Sequence, residues 1–399
     1  MKSAGKHMRL SGTNLERAGD HNQRVTLHAI RVNAPITRTE LVGITGLTAP
    51  AIANITKRLL TDKLILEAGQ RRGGRGQPAT RLVINPDAWF SIGVNVDRDH
   101  ITLLVLDFEG RVRERQSAEV NFALPADVEQ FFRKSAGKLL AKVGVDRCRL
   151  AGVGVALPDD MPRAATLPHQ PASYGVWAST DLAALLGGIL GVPVFVENDA
   201  AAATMGEMQF GLGKKYHTFF YILITAALGG SLVIDGNHFR GANGRSGELG
   251  LLRGRDAGGH ESQIQNIVSL SALYGRLAAQ GIRISVPHEL AGLDAKGRAV
   301  IDAWVEAAVN TLIDPLVAIN CLVNPEAVLI GGRLPACIVD QLASRLNQRL
   351  AAFSSSVPAI APVSRAALSD DAPAVGAAIL PFSHRLLPTR TALMKTAAH

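Results

Sequence analysis

Three arginines, Arg71, Arg72 and Arg75, lie on a glycine-rich stretch that runs from Gly69 to Pro78. Guanidinium groups bind phosphate through paired hydrogen bonds. A chain without bulky neighbours can also carry them into a narrow minor groove, where the negative potential of DNA is concentrated. We therefore expect these arginines to contact DNA phosphates or the minor groove. The alternative interpretation of this stretch is a flexible basic linker.

A second polar set lies just upstream, on a segment whose apolar residues recur at helical spacing on one face: Ile52, Ile55, Leu59 and Leu60. The polar residues fall largely off that face. Hydroxyl, amide and cationic side chains on the free side of a helix can bind base edges or phosphates. The sequence thus predicts DNA contacts from this helix by Thr48, Asn54, Lys57 and Arg58.

Positive charge is concentrated in the same part of the chain. Residues 1–85 contain 14 Lys and Arg against five Asp and Glu, a net charge of +9, whereas the remaining 28 basic and 29 acidic residues give −1. This division is expected when a module that binds a polyanion is joined to one that does not. On charge alone, a solvated basic face is the alternative.

The elements that would position these residues are those of a winged helix-turn-helix. Apolar spacing predicts a first helix from Asn22 to Val32 with Asp20 as its N-cap. A second helix has a capping box formed by Thr37 and Glu40 and ends at Gly46, and a third begins at Thr48. Two strands, predicted at residues 64–66 and 80–84, flank the arginine-rich loop as a wing. We assign residues 1–18 to a flexible arm and residues 19–86 to the winged helix-turn-helix domain.

The rest of the chain, residues 87–399, has the alternating strand and helix signals of an α/β protein. Strands are predicted at residues 92–96, 101–106, 151–156, 192–196, 219–225 and 231–235, and a helix at 128–143. Glu197, Asn198 and Asp199 follow one of these strands. Polar residues at strand ends predict a ligand site in the cleft outside those ends.

Length and composition restrict the class of protein. With 399 residues, 47% of them hydrophobic, the chain is long enough for two or three domains with substantial cores. No run of about 18 apolar residues lacks a charge, and no apolar segment follows Lys2, Lys6 and Arg9. We expect a cytoplasmic protein with no membrane partner. Three cysteines in apolar surroundings predict buried, unpaired thiols: Cys148, Cys321 and Cys337.

Two motifs carry a resemblance to a known family. The Val-Glu-Asn-Asp-Ala run at 196–200, followed by Asp235-Gly236 and by the Arg240–Gly250 segment RGANGRSGELG, resembles the ROK family of repressors and sugar kinases. The resemblance extends over nearly the whole chain. It implies an actin-like, two-lobed ATPase fold (the ROK sugar kinase fold), preceded by a winged helix-turn-helix domain, with a hexose or amino sugar bound between the lobes.

Kinase chemistry is not expected to survive. Active family members carry D-x-G-G-T after the opening strand, whereas this chain has Asn95 for the acid and then Asp97, Arg98 and Asp99 in place of the glycines and threonine. Two carboxylates would face the nucleotide phosphates there. The second phosphate stretch is Thr225–Ser231, TAALGGS in place of G-T-G-x-G-G-G, and only Ile330-Gly331-Gly332 stays close to the family pattern. We predict no enzymatic activity and no cofactor.

The family's zinc site is also missing from the sequence. Leu251 stands at the histidine position of the zinc-binding motif, and no cysteine lies between it and Gln265, so we predict no bound metal. His260 is more typical of a surface residue than of a ligand.

The resemblance implies a sugar site that is better preserved. Asn198, Asp199 and Glu248 stand where family members hydrogen-bond sugar hydroxyls, and an amide beside carboxylates offers donors and acceptors for vicinal hydroxyls. Trp177 matches a family tryptophan, although Ser173 replaces the asparagine of that stretch. Gln265 replaces a family glutamate. Alternatively, Asn198 and Asp199 cap the following helix.

These expectations describe a sugar-responsive, DNA-binding transcriptional repressor with a non-catalytic effector domain. Its partners would be a double-stranded DNA operator, a small sugar or sugar derivative and further copies of itself, in a homodimer or homotetramer. Two alternatives remain open. One is a sugar kinase with a DNA-binding appendage, and the other is a constitutive DNA-binding protein with a vestigial cleft.

Overall fold

The computed structural model describes residues 15–71, 79–159, 161, 171–255, 258–368 and 370–388. The chain divides into two compact units. The first unit contains the chain up to Phe90, the turn Asp107–Arg111 and the C-terminal segment from Pro381. The second contains Ser91–Leu106 and Val112–Leu380.

The first unit has the element order of the predicted winged helix-turn-helix. Its elements are α1 (Leu15–Asn33), β1 (Ile36–Thr37), α2 (Arg38–Thr45), α3 (Ala49–Thr61), β2 (Ile65–Arg71) and β3 (Ala79–Ile84). The three strands form one sheet in the order β1, β3, β2, and both pairings are antiparallel. Leu27, Ile30, Leu41, Ile52 and Leu59 are buried and form the apolar interior of this unit.

Local sequence signals set the ends of the short helix α2. The Thr37 hydroxyl accepts a hydrogen bond from the Glu40 backbone N–H, and the Glu40 carboxylate accepts one from the Thr37 N–H at 2.8 Å. Gly46 ends the helix with a left-handed φ of 69°, a conformation that costs other residues more. The predicted capping box and helix end are therefore confirmed.

Removal of this cap gives a stability prediction. We expect Thr37→Ala to lower the free energy of unfolding of the first unit by about 1 kcal/mol, because the Glu40 backbone N–H loses its acceptor and the Glu40 carboxylate loses the hydrogen bond from the Thr37 hydroxyl. Urea denaturation followed by circular dichroism would measure the change, with Thr39→Ala as the control. Equal stability of Thr37→Ala and the wild type would contradict the prediction.

The first helix and the wing differ from the sequence-based boundaries. The helix begins at Leu15, so Asp20 lies inside it and is not its N-cap. Leu15–Ala18 are good helix formers without a breaker, and the helix therefore extends into the range assigned to a flexible arm. The strand β2 reaches Arg71, and the segment that carries Arg72 and Arg75 lies outside the described residues.

The C-terminal segment was not assigned from the sequence, and the structure places it in the first unit. The Arg24 guanidinium donates a hydrogen bond to the Leu387 carbonyl oxygen at 3.3 Å. Phe108 and Phe382 pack edge to face with their ring centroids 5.4 Å apart. The first unit thus combines the N-terminal domain predicted at residues 19–86 with two segments that are distant in sequence.

The second unit contains two five-stranded sheets. The first has the order β6-β5-β4-β7-β8 and is built from β4 (Phe90–Val96), β5 (His100–Asp107), β6 (Val112–Glu119), β7 (Leu150–Leu157) and β8 (Val194–Asn198). The second has the order β11-β10-β9-β14-β15 and is built from β9 (Phe219–Ile224), β10 (Leu228–Ile234), β11 (Asn237–His238), β14 (Ala327–Gly332) and β15 (Val363–Arg365). Both sheets therefore have the same strand order, in which the strand that comes first in the sequence lies in the centre. This repetition agrees with the predicted two-lobed fold.

Helices cover the sheets of this unit: α4 (Pro125–Val143), α5 (Leu182–Leu190), α6 (Asp199–Phe210), α7 (Leu270–Ala279), α8 (Ala295–Val323), α9 (Ala336–Leu350) and α10 (Ala372–Arg385). A small hairpin, β12 (Arg253–Arg255) and β13 (Glu261–Gln263), lies between β11 and α7 in the sequence. The backbone of α10 approaches the first sheet closely. A Cβ atom at Gly93 would lie 2.0 Å from the Ala374 carbonyl oxygen, so this strand position requires glycine.

The long helix α8 is apolar enough to cross a membrane by length and composition alone. Ten of its residues are buried within the protein, and eight of them, among them Trp304, Val309 and Leu312, belong to the core cluster beside the second sheet. Core helices pass the same test, so this single candidate carries little weight.

The cysteines correct one prediction. Cys148, Cys321 and Cys337 are unpaired as expected, but all three are exposed and not buried. Cys321 and Cys337 lie on the outward faces of helices whose other faces supply the core, and Cys148 lies in a short 3-10 turn. Apolar neighbours in the sequence therefore gave a misleading indication of burial.

Candidate functional site

Polar residues converge where two parallel strands of the first sheet end. The strands β7 and β8 pair in parallel, so Asp159, which follows β7, and Asn198, which ends β8, lie at the same edge. The Asn198 side chain lowers the pKa of the Asp159 carboxyl, against the larger upward effect of burial. The Asn198 amide oxygen also accepts the Ala201 backbone N–H at 3.0 Å, and the Asp199 carboxylate accepts the Ala200 N–H at 2.8 Å. Asn198 is thus the N-cap of α6, and Asp199 is the first residue of that helix.

Arg245 links two carboxylates of this cluster. Its Nε atom lies 3.3 Å from Asp159 Oδ2, and its Nη2 atom donates to Glu248 Oε1 at 2.6 Å. Burial raises the pKa of Asp159, with a further contribution from the Glu248 and Glu197 carboxylates, although Arg245 opposes the shift. Sequence analysis had not identified Asp159 or Arg245. Asp159 could have been found by the rule that placed Asn198, because it follows a buried strand through Leu157-Pro158.

Two cavities adjoin this cluster. The outer cavity, of about 430 Å³, is lined by residues that include Glu197, Arg240 and Asn243. Arg240 pairs with Glu197 there at 2.6 Å. The inner cavity has only about 20 Å³ and is lined by residues that include Gly229, His238 and Glu248. Asp159, Asn198 and Arg245 line both, so they form the boundary between the two cavities.

Two other residues predicted for the sugar site occupy different positions. Trp177 is buried and its indole N–H donates to the Ala123 carbonyl oxygen at 2.9 Å, and it does not line either cavity. Gln265 is buried beside Gly250, and its amide nitrogen donates to the Gln263 side chain at 2.7 Å. The structure therefore brings Asn198 and Glu248 to the inner cavity, whereas Asp199, Trp177 and Gln265 line neither cavity.

An ion-pair network fills the region predicted to be a degenerate phosphate loop. Asp97 and Arg98 are buried at the end of β4, with 1% and 3% of their surface exposed. Arg333, which follows β14 of the second sheet, donates to Asp99 Oδ2 at 3.0 Å and to Glu119 Oε1 at 2.6 Å. A nucleotide phosphate chain at this turn would meet two carboxylates and the buried Arg98 side chain. These carboxylates would repel the phosphate oxygens of a ligand at this turn.

The same turn holds a cluster of possible cation ligands that the sequence did not predict. Asp97, Asp99 and His100 each offer a ligand atom, and these atoms lie within 4.8 Å of one another. His100 Nδ1 is already 2.7 Å from Asp99 Oδ1, and its Nε2 is 2.9 Å from the Asn95 amide nitrogen. Arg333 pairs with Asp99, so hydrogen bonds and a guanidinium group already engage most of these ligand atoms.

The network gives a pH prediction. Burial raises the pKa of Asp99, but the His100 hydrogen bond and the positive charges of His100 and Arg333 outweigh burial and hold this pKa below its ordinary value. A depressed carboxyl pKa stabilises the fold above the unfolded pKa of about 4, and this stabilisation disappears as the pH falls through the folded pKa.

We therefore expect Asp99→Asn to lower the free energy of unfolding by about 1–2 kcal/mol at pH 7, and the difference from the wild type to shrink below about pH 4. Urea denaturation between pH 7 and pH 3 would measure it. Glu129→Gln, which removes an exposed ion pair with Arg133, is the matched control and should change stability little. A difference between Asp99→Asn and the wild type that stays constant with pH would contradict the prediction.

The predicted DNA-contacting residues of α3 lie on the surface of the first unit. Thr48, Asn54, Lys57 and Arg58 are exposed. The Thr48 hydroxyl accepts the Ala51 backbone N–H at 3.4 Å as the N-cap of α3, and Arg58 donates to the Gln23 side chain of α1 at 3.2 Å. Asn54 and Arg58 also line a groove of about 450 Å³ between α1 and α3. The exposed polar face predicted for this helix is thus present.

The three loop arginines cannot be placed in the same way. Arg71 ends β2, and Arg72 and Arg75 lie outside the described residues. Their contacts with DNA remain a prediction.

Comparison with known proteins places the chain in a family. The xylose repressor of Bacillus spizizenii is 29% identical over 231 residues, which cover 58% of this chain and 60% of the repressor. A crystal structure of a ROK family transcriptional regulator, a homologue of the E. coli MLC protein, has a TM-score of 0.66 at 21% identity over 92% of this chain and 96% of that chain.

A kinase of the same fold is also similar. The ROK family glucokinase from Streptomyces griseus, solved with glucose and AMPPNP, has a TM-score of 0.55 at 22% identity and covers 73% of this chain and 98% of the kinase chain. The likeness to both structures confirms the predicted two-lobed fold. Residues 91–383, almost three quarters of the sequence, match the ROK family. The chain belongs to the ROK family.

Proposed function

We propose that this protein is a sugar-responsive, DNA-binding transcriptional repressor whose kinase-like domain binds an effector and does not transfer phosphate. One observation carries the proposal: α3 has an exposed polar face, and Asn198 and Glu248 line one cavity, in a chain whose phosphate-loop region contains the Arg333 ion pairs. The similarity to a xylose repressor and to a ROK family transcriptional regulator supports it.

In this proposal, α3 enters the major groove of an operator. Asn54 is suited to a base edge, because an amide can make paired hydrogen bonds with adenine. Thr48, Lys57 and Arg58 contact phosphates or further base edges, and Arg71, Arg72 and Arg75 extend the contacts through the wing. The protein acts as a homodimer or homotetramer in the cytoplasm, so that two winged helices bind two half-sites.

The effector would be a neutral sugar or a sugar derivative held by Asn198, Asp199 and Glu248. Each hydroxyl group that satisfies one of these side chains contributes about 1–3 kcal/mol relative to a ligand that leaves it unpaired. The bound sugar favours one conformation of the effector domain, and this population shift changes the spacing of the two winged helices. If the sugar binds one conformation of the effector domain more tightly than the other by about 1–3 kcal/mol, operator affinity changes by roughly 5- to 150-fold.

Gel retardation of the DNA upstream of the gene, with and without a panel of sugars that includes D-xylose, tests this function. We expect a retarded fragment at low salt and its release by at least one sugar. The absence of any retarded fragment at low salt would overturn the DNA-binding half of the proposal. A retarded fragment that no sugar affects would favour a constitutive DNA-binding protein, which a thermal-shift assay with the same sugars would check.

A sugar kinase with a DNA-binding domain is the second candidate, because a glucokinase has the same fold. A coupled ATPase assay with hexoses, pentoses and amino sugars separates the two. Sugar-dependent turnover that Asp199→Asn abolishes would establish the kinase, since that aspartate would then act as the base toward the sugar hydroxyl.

A further inference from the structure

The effector cluster is closed to a sugar in this structure. The inner cavity at Asn198 and Glu248 has about 20 Å³, room for one water molecule, whereas ligand cavities usually have about 300–1,000 Å³. The outer cavity, at about 430 Å³, could hold a monosaccharide. A ligand that reaches the inner residues must therefore change the boundary between the two cavities.

Arg245 is the long side chain of that boundary. It lines both cavities, and 28% of its side-chain surface is exposed, so it can move toward solvent. Its Nε and Nη2 atoms both donate to Glu248 Oε1, at 2.8 and 2.6 Å, and Nε also faces Asp159. The guanidinium thus occupies the acceptors that a sugar hydroxyl would use.

Resting on the function proposed above, we propose that Arg245 is the gate and a specificity-determining residue of the effector site. In the free protein its guanidinium bridges Asp159 and Glu248 and keeps the inner cavity closed. A sugar enters when two of its hydroxyls replace the guanidinium N–H donors on these two carboxylates, and Arg245 then turns into the outer cavity.

This exchange selects the chemical class of the ligand. A guanidinium presents two adjacent donors, and the group on a neutral sugar that best imitates them is a vicinal diol. A ligand that lacks one of the two hydroxyls leaves a carboxylate without its partner and is disfavoured. Asp159 consequently belongs to the effector site together with the residues that the family resemblance indicated.

The second arginine of the region, Arg240, lies outside the boundary between the two cavities. Arg240 pairs with Glu197 at 2.6 Å in the outer cavity and does not line the inner one. Its removal should leave the inner cavity closed. Arg253, which pairs with the exposed Glu261 at 3.4 Å on the β12–β13 hairpin, provides a control away from both cavities.

The test is a titration of the full-length protein with D-xylose, D-glucose, D-galactose and their monodeoxy analogues by isothermal calorimetry, and by stopped-flow tryptophan fluorescence for the association rate. We expect Arg245→Ala to bind the sugar that the wild type binds about tenfold more tightly, mainly through a faster association rate, because no ion pair has to be broken. Arg245→Lys cannot bridge two carboxylates in the same way, so its sugar affinity should lie between those of the wild type and Arg245→Ala. Arg253→Ala should match the wild type.

Operator binding without sugar separates the possible failures. Suppose that Arg245→Ala binds DNA normally but binds the sugar no more tightly than the wild type does. The proposed role of Arg245 as a gate is then wrong, and the proposed repressor function is unaffected. If Arg245→Ala does not fold, Arg245→Lys provides the test. A sugar association rate of Arg245→Lys that equals or falls below that of the wild type would also contradict the proposed gate. If neither the wild type nor any variant binds any sugar of the panel, the proposed effector function fails and the gate with it.

Discussion

The double substitution Asn54→Ala and Lys57→Ala should weaken binding to the specific operator by roughly 2–4 kcal/mol, a loss of about thirtyfold to a thousandfold in affinity. Both side chains are exposed on α3, and neither supplies the core of the first unit. The amide would lose paired hydrogen bonds to a base, and the ammonium group would lose a phosphate contact. Fluorescence anisotropy with a labelled operator would measure the loss.

The salt dependence of DNA binding separates the contribution of Lys57 from that of Asn54. The Lys57→Ala single variant should weaken binding to specific and non-specific DNA alike, and the slope of log affinity against log salt concentration should fall by about one. Asn54→Ala should mainly reduce the difference in affinity between the operator and other sequences. Lys134→Ala, which removes an exposed lysine of α4 in the second unit, is the matched control. Operator affinity within twofold of the wild type in the double variant would contradict the assignment of α3 as the recognition helix.

The second large effect concerns the effector. We expect Asp199→Asn to weaken sugar binding by about 1–3 kcal/mol, roughly 5- to 150-fold, because a carboxylate acceptor becomes a neutral amide. Asp199 has only 9% of its surface exposed, yet the amide oxygen of asparagine can still accept the Ala200 N–H, so the start of α6 should be preserved. Calorimetric titration of sugar into the variant would measure the effect.

The same variant should bind the operator as tightly as the wild type does and should resist release by sugar. Asp181→Asn, at the N-cap of α5, is the control because it changes a capping aspartate outside the effector cluster. Loss of DNA binding by Asp199→Asn would indicate a structural role for this residue, and unchanged sugar affinity would exclude it from the effector site.

Features that depend on neighbouring residues could be predicted from the sequence. The Thr37–Glu40 capping box, the Gly46 helix end and the Thr48 N-cap each involve groups within four residues, and the structure has all three. The position of Asn198 at a strand end followed from the same kind of local pattern, combined with the general rule for ligand sites in α/β sheets.

Features that depend on distant parts of the chain could not be predicted. Arg333 and Asp99 are 234 residues apart, and nothing in either local sequence indicates their pairing. The approach of the C-terminal segment to Arg24 is of the same kind. A match to a family motif suggested a sugar contact for Trp177, and in this structure its indole N–H donates to the Ala123 carbonyl oxygen.

One experiment tests the central claim most directly. Operator affinity is measured by fluorescence anisotropy with and without sugar, in samples that contain magnesium and ATP. The sugar is afterwards analysed by mass spectrometry. The proposed function predicts that sugar lowers operator affinity by roughly 5- to 150-fold, that ATP makes no difference and that the sugar is recovered unphosphorylated. Recovery of a sugar phosphate, or operator affinity that no sugar changes, would contradict it.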